Sequence, residues 1–175
     1  MDVPPRPPVS ALSSLRARRW FTDEPVGDAD LYRVLEAGRW TGSARNRQPW
    51  RFVVVRDRGV REELSRLGAY AGHLAAAPVV IVLAADEDTG GEDAQFDAGR
   101  AAQNLMLAAH FLGLGSCPAS FFPAGNADRA GELCRVTRPW TVRTALSLGH
   151  PAPAPTGRSA IPTGRLPLAD LVTEI

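Results

Sequence analysis

Gly42-Ser43-Ala44-Arg45-Asn46-Arg47-Gln48-Pro49-Trp50, running directly into Arg51-Phe52-Val53-Val54-Val55, decides how this chain is read. A loop crowded with hydrogen-bonding groups passes without a break into an apolar strand. Pro49 pushes Gln48 out of helical geometry, because the proline ring clashes with a helical residue before it. The loop conformation is therefore set where the polar side chains lie, and such a loop suits the edge of a flat, polar heterocycle. Trp50, bulky and at the start of a strand, reads as a core anchor.

Upstream, Leu31, Val34, Leu35 and Gly38 recur at i, i+3, i+4 and i+7, which predicts a helix delivering the chain to the loop, with Asp28 as its N-cap. Before it, Val9 to Ala17 reads as a short helix with Leu12 and Leu15 on one side. It runs into Arg16, Arg18 and Arg19 and then Trp20-Phe21, and Pro25-Val26-Gly27 breaks it. Downstream, Phe52 to Val55 is a strand and Val60 to Leu67 a charged amphipathic helix. Pro78 to Ala85 is continuously apolar and rich in β-branched residues, as in a strand covered on both faces, so the sheet is internal. Asp86 to Asp93, with Gly90-Gly91 inside it, is expected to be a solvated acidic turn, since its carboxylates lack a spaced ligand pattern. Ala127 to Val136 reads as a helix and Val142 to Leu148 as a strand. The tail from Ile161 to Ile175 carries an extended segment and a last apolar turn.

From Phe96 to Leu114 the pattern is helical, but Leu105, Met106, Leu107, Ala108, Ala109, Phe111 and Leu112 point in almost every direction. A helix apolar all round must be covered all round. A second subunit can supply that cover, and so can the rest of a monomer. His110 inside it reads as a core histidine, and Gly113 and Gly115 as left-handed residues closing the helix.

With 175 residues and 45% hydrophobic content, the chain buries one substantial core, so residues 1–175 form a single domain. A net charge of +1 with scattered arginines gives no basic field for nucleic acid. Residues 1–8, Met1-Asp2-Val3-Pro4-Pro5-Arg6-Pro7-Pro8, read as a flexible arm and not a signal peptide. The longest apolar runs fall short of the ~20 residues of a membrane span, and a cytoplasmic location is expected. Cys117 and Cys134 read as buried free thiols. Gly113-x-Gly115 lacks the third glycine of a dinucleotide fingerprint, no Gly-x-Ser-x-Gly elbow exists, and His73, His110 and His150 have no partners at triad or zinc spacing. Hydrolase and metal readings lack their parts.

A phosphorylated, redox-active ring needs cations for its phosphate, polar groups for its pyrimidine edge and a backbone donor near its hydride-accepting atom. Arg16, Arg19 and Arg165 are the cation candidates, because guanidinium forks bind phosphate and carbonyl oxygens with paired hydrogen bonds. The pattern Ser43-x-x-Asn46-x-Gln48-Pro49-Trp50, preceded by Leu31-x-x-Val34-Leu35-Glu36-Ala37-Gly38-Arg39-Trp40, resembles the nitroreductase family of FMN-dependent oxidoreductases. The resemblance runs through most of the chain. It implies an α+β fold, a mostly antiparallel central sheet flanked by helices, and two chains interwoven as a homodimer with FMN held non-covalently at the interface. It also implies ping-pong chemistry, in which NADH or NADPH reduces the flavin and an electron-poor acceptor such as a nitroaromatic or quinone reoxidises it.

The same resemblance assigns residues. Leu15-Arg16-Ala17-Arg18-Arg19-Trp20-Phe21 stands where the family has Arg-Arg-Ser-x-Arg-x-Phe. Arg16 and Arg19 match, Leu15 and Ala17 replace the usual arginine and serine, and Arg18 can substitute. Ser43, Ala44, Asn46 and Gln48 inherit contacts to the ribityl chain and ring edge, the first two through backbone groups. Cys117-Pro118-Ala119-Ser120-Phe121-Phe122 takes the place of Pro-x-Glu-Gly-Phe, which puts the backbone of Pro118, Ala119 and Ser120 near flavin N5. Thr163-Gly164-Arg165 keeps one of the two phosphate cations of a Lys-x-Arg pair, and Arg158 lies close enough in sequence to compensate. Arg19, near the N1/C2 edge, would stabilise the reduced ring's negative charge. Two other readings fit the same motifs: a flavin-dependent dehydrogenase or desaturase using oxygen, and a flavin-binding protein without turnover.

Overall fold

Strand β2, Val79–Asp86, is buried at every residue and organises the fold. In the computed structural model, which describes residues 9–156 and 164–175, it lies inside a four-stranded sheet. The other strands are β1 (Trp50–Val55), β3 (Gly115–Ser120) and β4 (Trp140–Gly149), in the order β1-β2-β4-β3, with every pairing antiparallel. Successive side chains of a strand point to opposite faces. Ile81 and Leu83 accordingly enter one core while Val80 and Val82 enter another.

The first core is closed by α2 (Asp28–Arg39) and α6 (Ala94–Phe111), with Val34, Leu105, Leu146 and Leu148 buried between helices and sheet. The second lies under α3 (Arg58–Leu64), α4 (His73–Ala76) and α7 (Ala124–Leu133), around Leu64, Leu74, Phe121 and Val142. Each fully buried aliphatic side chain contributes about 1.5–3 kcal/mol. Gly38 lets α2 and α6 approach: a Cβ there would lie 2.7 Å from Leu105 Cδ2 and 2.9 Å from Phe52 Cζ. Trp50 is buried in the first core, as expected of an anchor. Among the described residues no helix is long and apolar enough to cross a membrane.

Several expectations are corrected. The first helix, α1, covers only Ser10–Ser14, and Leu15 is already extended at φ −57° and ψ 129°. The edge of β3 offers the following residues better bonds than another helical turn: Ala17 bridges to Ser116, and Arg18 donates its N–H to the Ser116 carbonyl at 2.8 Å. Gly27, not Asp28, caps α2, and Asp28 pairs instead with Arg56 at 2.5 Å. The acidic turn is ordered into α5 (Glu87–Gly90) and a 3-10 turn at Gly91–Asp93, because the buried Asp86 carboxylate accepts the N–H groups of Asp88 and Thr89. Gly113 is left-handed at φ +75°, whereas Gly115 instead begins β3. A Cβ on Gly115 would sit 2.8 Å from Arg18 Cβ. His110 is only half-buried and meets Ser14 Oγ at 2.8 Å. The arm at residues 1–8, Arg158 and Thr163 lie outside the described residues.

Candidate functional site

The loop before β1 is a tight, internally bonded unit. Ala44–Asn46 forms a 3-10 turn, Gln48 donates its N–H to Ser43 Oγ at 2.8 Å, and Asn46 donates its N–H to the Ser43 carbonyl at 3.0 Å. The Gln48 side-chain amide donates to Asn46 Oδ1 at 3.2 Å, so these two side chains form a polar pair at the loop surface. Arg45, Asn46 and Gln48 are all left-handed, at φ 52°, 52° and 51°. For residues with a Cβ this costs roughly 1 kcal/mol or more each, and such strain concentrates where function requires a fixed shape.

Helix α6 grips this loop from beneath. Asp97, 2% exposed, accepts the Ala44 N–H at 3.0 Å and an Arg100 N–H at 3.3 Å. One face further along, Asn104 donates to Thr41 Oγ1 at 2.8 Å. The Ala44 N–H is thus engaged within the chain. Asp97, Arg100 and Asn104 give α6 a polar stripe, so it is not apolar on every face as its composition implied. Their i, i+3, i+7 spacing was visible in the sequence but masked by the apolar residues between them.

Pro118, Ala119 and Ser120 lie on β3, the edge strand of the sheet, whose start is bonded by the Ala17–Arg18 segment. Phe121 donates to the Arg143 carbonyl, and bonded pairs alternate along an antiparallel ladder, so Ala119 faces Ala145 in a bonded pair. Pro118 and Ser120 turn their backbone groups outward. Pro118 has no N–H, which leaves Ser120 as the member of this trio able to offer one at the edge. Gly68 packs against that point so closely that a Cβ there would collide with the Ser120 carbonyl oxygen. Arg16 folds back onto its own segment, donating to the Ser13 carbonyl at 2.5 Å and the Leu15 carbonyl at 2.8 Å. Arg165 donates to the Gly164 carbonyl at 2.7 Å.

Arg19 lies near a buried polar cluster beneath β3. Ser147 Oγ donates to the Cys117 carbonyl at 3.3 Å, so toward His73, at 2.8 Å from Nδ1, the hydroxyl accepts. This fixes the Nδ1–H tautomer and leaves the buried Nε2 without a partner. Burial, and secondarily the positive charge of Arg19, push His73 down to about 4, opposed by the Pro118 carbonyl. The ring is neutral at neutral pH. Burial also raises the Cys117 thiol, against the pull of Arg19.

Two rulers show how far apart the groups are. Trp50 pairs with Ala85 and Ala85 with Thr141, while Ser116 pairs with Leu148. From Thr141 to Leu148 along β4 is roughly 20 Å at the rise of a strand. On α6, Asp97 touches the loop and His110 touches Ser14. Their separation along the helix is again about 20 Å. One chain therefore places the Ser43–Gln48 loop and the Arg16–Arg19 segment at opposite ends of the molecule.

The nitroreductase family model matches residues 13–69 and 65–150, a span holding every candidate residue except Arg165. The chain belongs to the nitroreductase family. It is 32% identical to an NADH dehydrogenase/NAD(P)H nitroreductase of Archaeoglobus fulgidus over 78% of this chain and 80% of that one. It is 30% identical to the oxygen-insensitive NADPH nitroreductase of Salmonella typhimurium, covering 89% of this chain and 70% of the relative. Among solved structures, a Desulfovibrio desulfuricans nitroreductase in complex with FMN superposes with a TM-score of 0.76 at 32% identity, over 95% of each chain. The nitroreductase fold expected from the loop motif is thus the fold observed.

Residues that the motifs did not single out also shape the two groups. Asp97, Arg100 and Asn104 hold the loop, and Gly68 seats the end of β3. His73 and Ser147 lie 74 residues apart, and no local pattern announces their pairing.

Proposed function

We propose that this nitroreductase-family chain is an FMN-dependent NAD(P)H oxidoreductase acting on electron-poor acceptors, nitroaromatics or quinones, as a homodimer with two sites. The observation that carries the proposal is the ~20 Å split between the two groups. The family-matched cations Arg16 and Arg19 lie at one end and the Asn46 and Gln48 amides at the other, and of the loop's own arginines Arg47 is engaged with the Gly90 carbonyl. In a symmetric dimer the loop of one chain can meet the arginine segment of the other. The tail supports a second chain as well, since Leu166, Leu168, Leu171 and Ile175 are all exposed.

The residues present fit an FMN. When bound, it supplies the carrier that takes two electrons from NAD(P)H and passes them to the acceptor. Arg16, Arg18 and Arg165 offer guanidinium forks to a phosphate. The strained loop presents the Asn46 and Gln48 amides to a ring edge, and the outward Ser120 N–H is a fixed donor for a ring nitrogen. Arg19, near His73, would stabilise negative charge on a reduced ring. The work of the protein is to position these groups and exclude water.

An absorption spectrum of the purified protein, before and after anaerobic NADPH or NADH, tests the reading. Bound FMN bleached by a nicotinamide is expected. Protein that neither carries nor takes up FMN contradicts the cofactor, and bound flavin that neither nicotinamide reduces identifies a flavin carrier.

A further inference from the structure

The Ser43–Gln48 loop holds three left-handed residues that have side chains. Its own bonds, Gln48 N–H to Ser43 Oγ and Asn46 N–H to the Ser43 carbonyl, close the turn but do not fix it to the body of the protein. It is attached by Arg47, which donates to the Gly90 carbonyl at 3.1 Å, and by two bonds from α6. Asp97 accepts the Ala44 N–H, an Arg100 guanidinium nitrogen lies 3.4 Å from where a Gly42 Cβ would be, and Asn104 donates to Thr41. Asp97 and Asn104 thus bond the loop at Ala44 and Thr41, and Arg100 lies between them, paired with Asp97.

We propose that Asp97 is a positioning residue for cofactor binding, and that the Asp97-Arg100-Asn104 stripe is the template that keeps the loop in its strained shape before any ligand arrives. The inference rests on the FMN reading above. A buried carboxylate is a costly choice for holding one amide, and a bond to a charged acceptor is correspondingly stronger than a neutral one. Asp97 is also tied to Arg100, so the two move as a unit. Without the stripe, Arg45, Asn46 and Gln48 would relax toward ordinary backbone angles, and the Asn46–Gln48 amide pair would lose its fixed direction. FMN binding would then have to re-form the loop, at a cost in affinity.

The loop carries its own reporter, because trypsin cleaves after Arg45 and Arg47. On apo-protein well below its unfolding temperature, Asp97→Ala should be nicked at these two bonds at least tenfold faster than the wild type. Its FMN dissociation constant, from flavin fluorescence quenching, should rise about tenfold. Asp97→Asn, which keeps an acceptor oxygen for Ala44 but not its charge, should fall between the wild type and Asp97→Ala in both measurements. A folded Asp97→Ala protein that is cleaved and binds FMN like the wild type overturns the proposal. So does an Asp97→Asn protein as impaired as Asp97→Ala, since the accepted bond would then not be the reason. Should Asp97→Ala fail to fold, Thr41→Val removes only the Asn104 anchor; nicking about threefold faster is expected, and an unchanged rate overturns the template. If the wild type binds no FMN, the functional reading fails, and the cleavage rates still decide whether the stripe shapes the loop.

Discussion

If each site takes its loop from one chain and its arginines from the other, two inactive variants should restore each other. One variant carries Asn46→Ala and Gln48→Ala, removing both amides from the loop; the other carries Arg16→Ala and Arg19→Ala, at the far end of the same chain. Hydrogen bonds to charged groups are worth about 1.5–3 kcal/mol and neutral ones about 1 kcal/mol, so two lost contacts cost about 2 kcal/mol for the loop pair and 3 kcal/mol or more for the arginine pair. At 1.36 kcal/mol per tenfold, each homodimer should fall roughly 30-fold to more than 100-fold in kcat/KM. In a heterodimer purified through two different tags, one site combines an intact loop with intact arginines, and the other carries all four losses. NADPH oxidation with a nitroaromatic acceptor should therefore recover to about half the wild-type rate per dimer. A site contained within one chain gives a different answer, since both of its copies stay crippled whatever the mixture. A heterodimer no more active than its parents would refute the shared site, and so would sedimentation of active, flavin-loaded protein at the 18.7 kDa mass of one chain.

Other perturbations test the fold and the division of roles. Gly38→Ala drives a methyl into Leu105 and Phe52. Overpacking at about 1–3 kcal/mol, less the ~1 kcal/mol gained in helix propensity, leaves about 0–2 kcal/mol and should lower Tm by up to roughly 8 °C, and a raised Tm would contradict the close crossing of α2 and α6. His73 titrates at about 4 in the folded protein, below its ordinary 6.5, so between those values the unfolded chain binds the extra proton. Stability is then fully present above pH ~6.5 and falls by about 2–3 kcal/mol as pH drops to 4. His73→Gln should flatten that part of a urea-midpoint profile, and identical slopes would exclude the buried neutral ring. Arg165→Ala should weaken FMN by about 1.5–3 kcal/mol yet recover full turnover at saturating FMN. Arg19→Ala should lower the flavin potential and slow reduction even at saturation; if it only loosens FMN, Arg19 is a phosphate or surface residue.

What could be read in the sequence follows from the range over which each feature is determined. β2 was legible because a run of β-branched residues has little choice but a covered strand, and α2 because four apolar positions at helical spacing define one face. The loop was legible because Pro49 and Trp50 fix its exit locally. Leu15 to Ala17 reads locally as the end of a helix because its real partner, the edge of β3, lies about 100 residues away and exerts no local signal. Asp86 differs, because its carboxylate caps α5 through the N–H groups of Asp88 and Thr89, two and three residues on. The polar stripe on α6 differs in kind, since its three residues were at hand and simply outnumbered. Part of the α6 surface is polar and already occupied by the loop, so the apolar count around the helix does not by itself require a second chain. A helix and a strand of known rise, each running from the Ser43–Gln48 loop to the Arg16–Arg19 segment, place those two about 20 Å apart. No side-chain rearrangement closes such a distance within one chain. In the proposed homodimer, a second copy turned so that its loop meets the arginine segment of the first would close it twice.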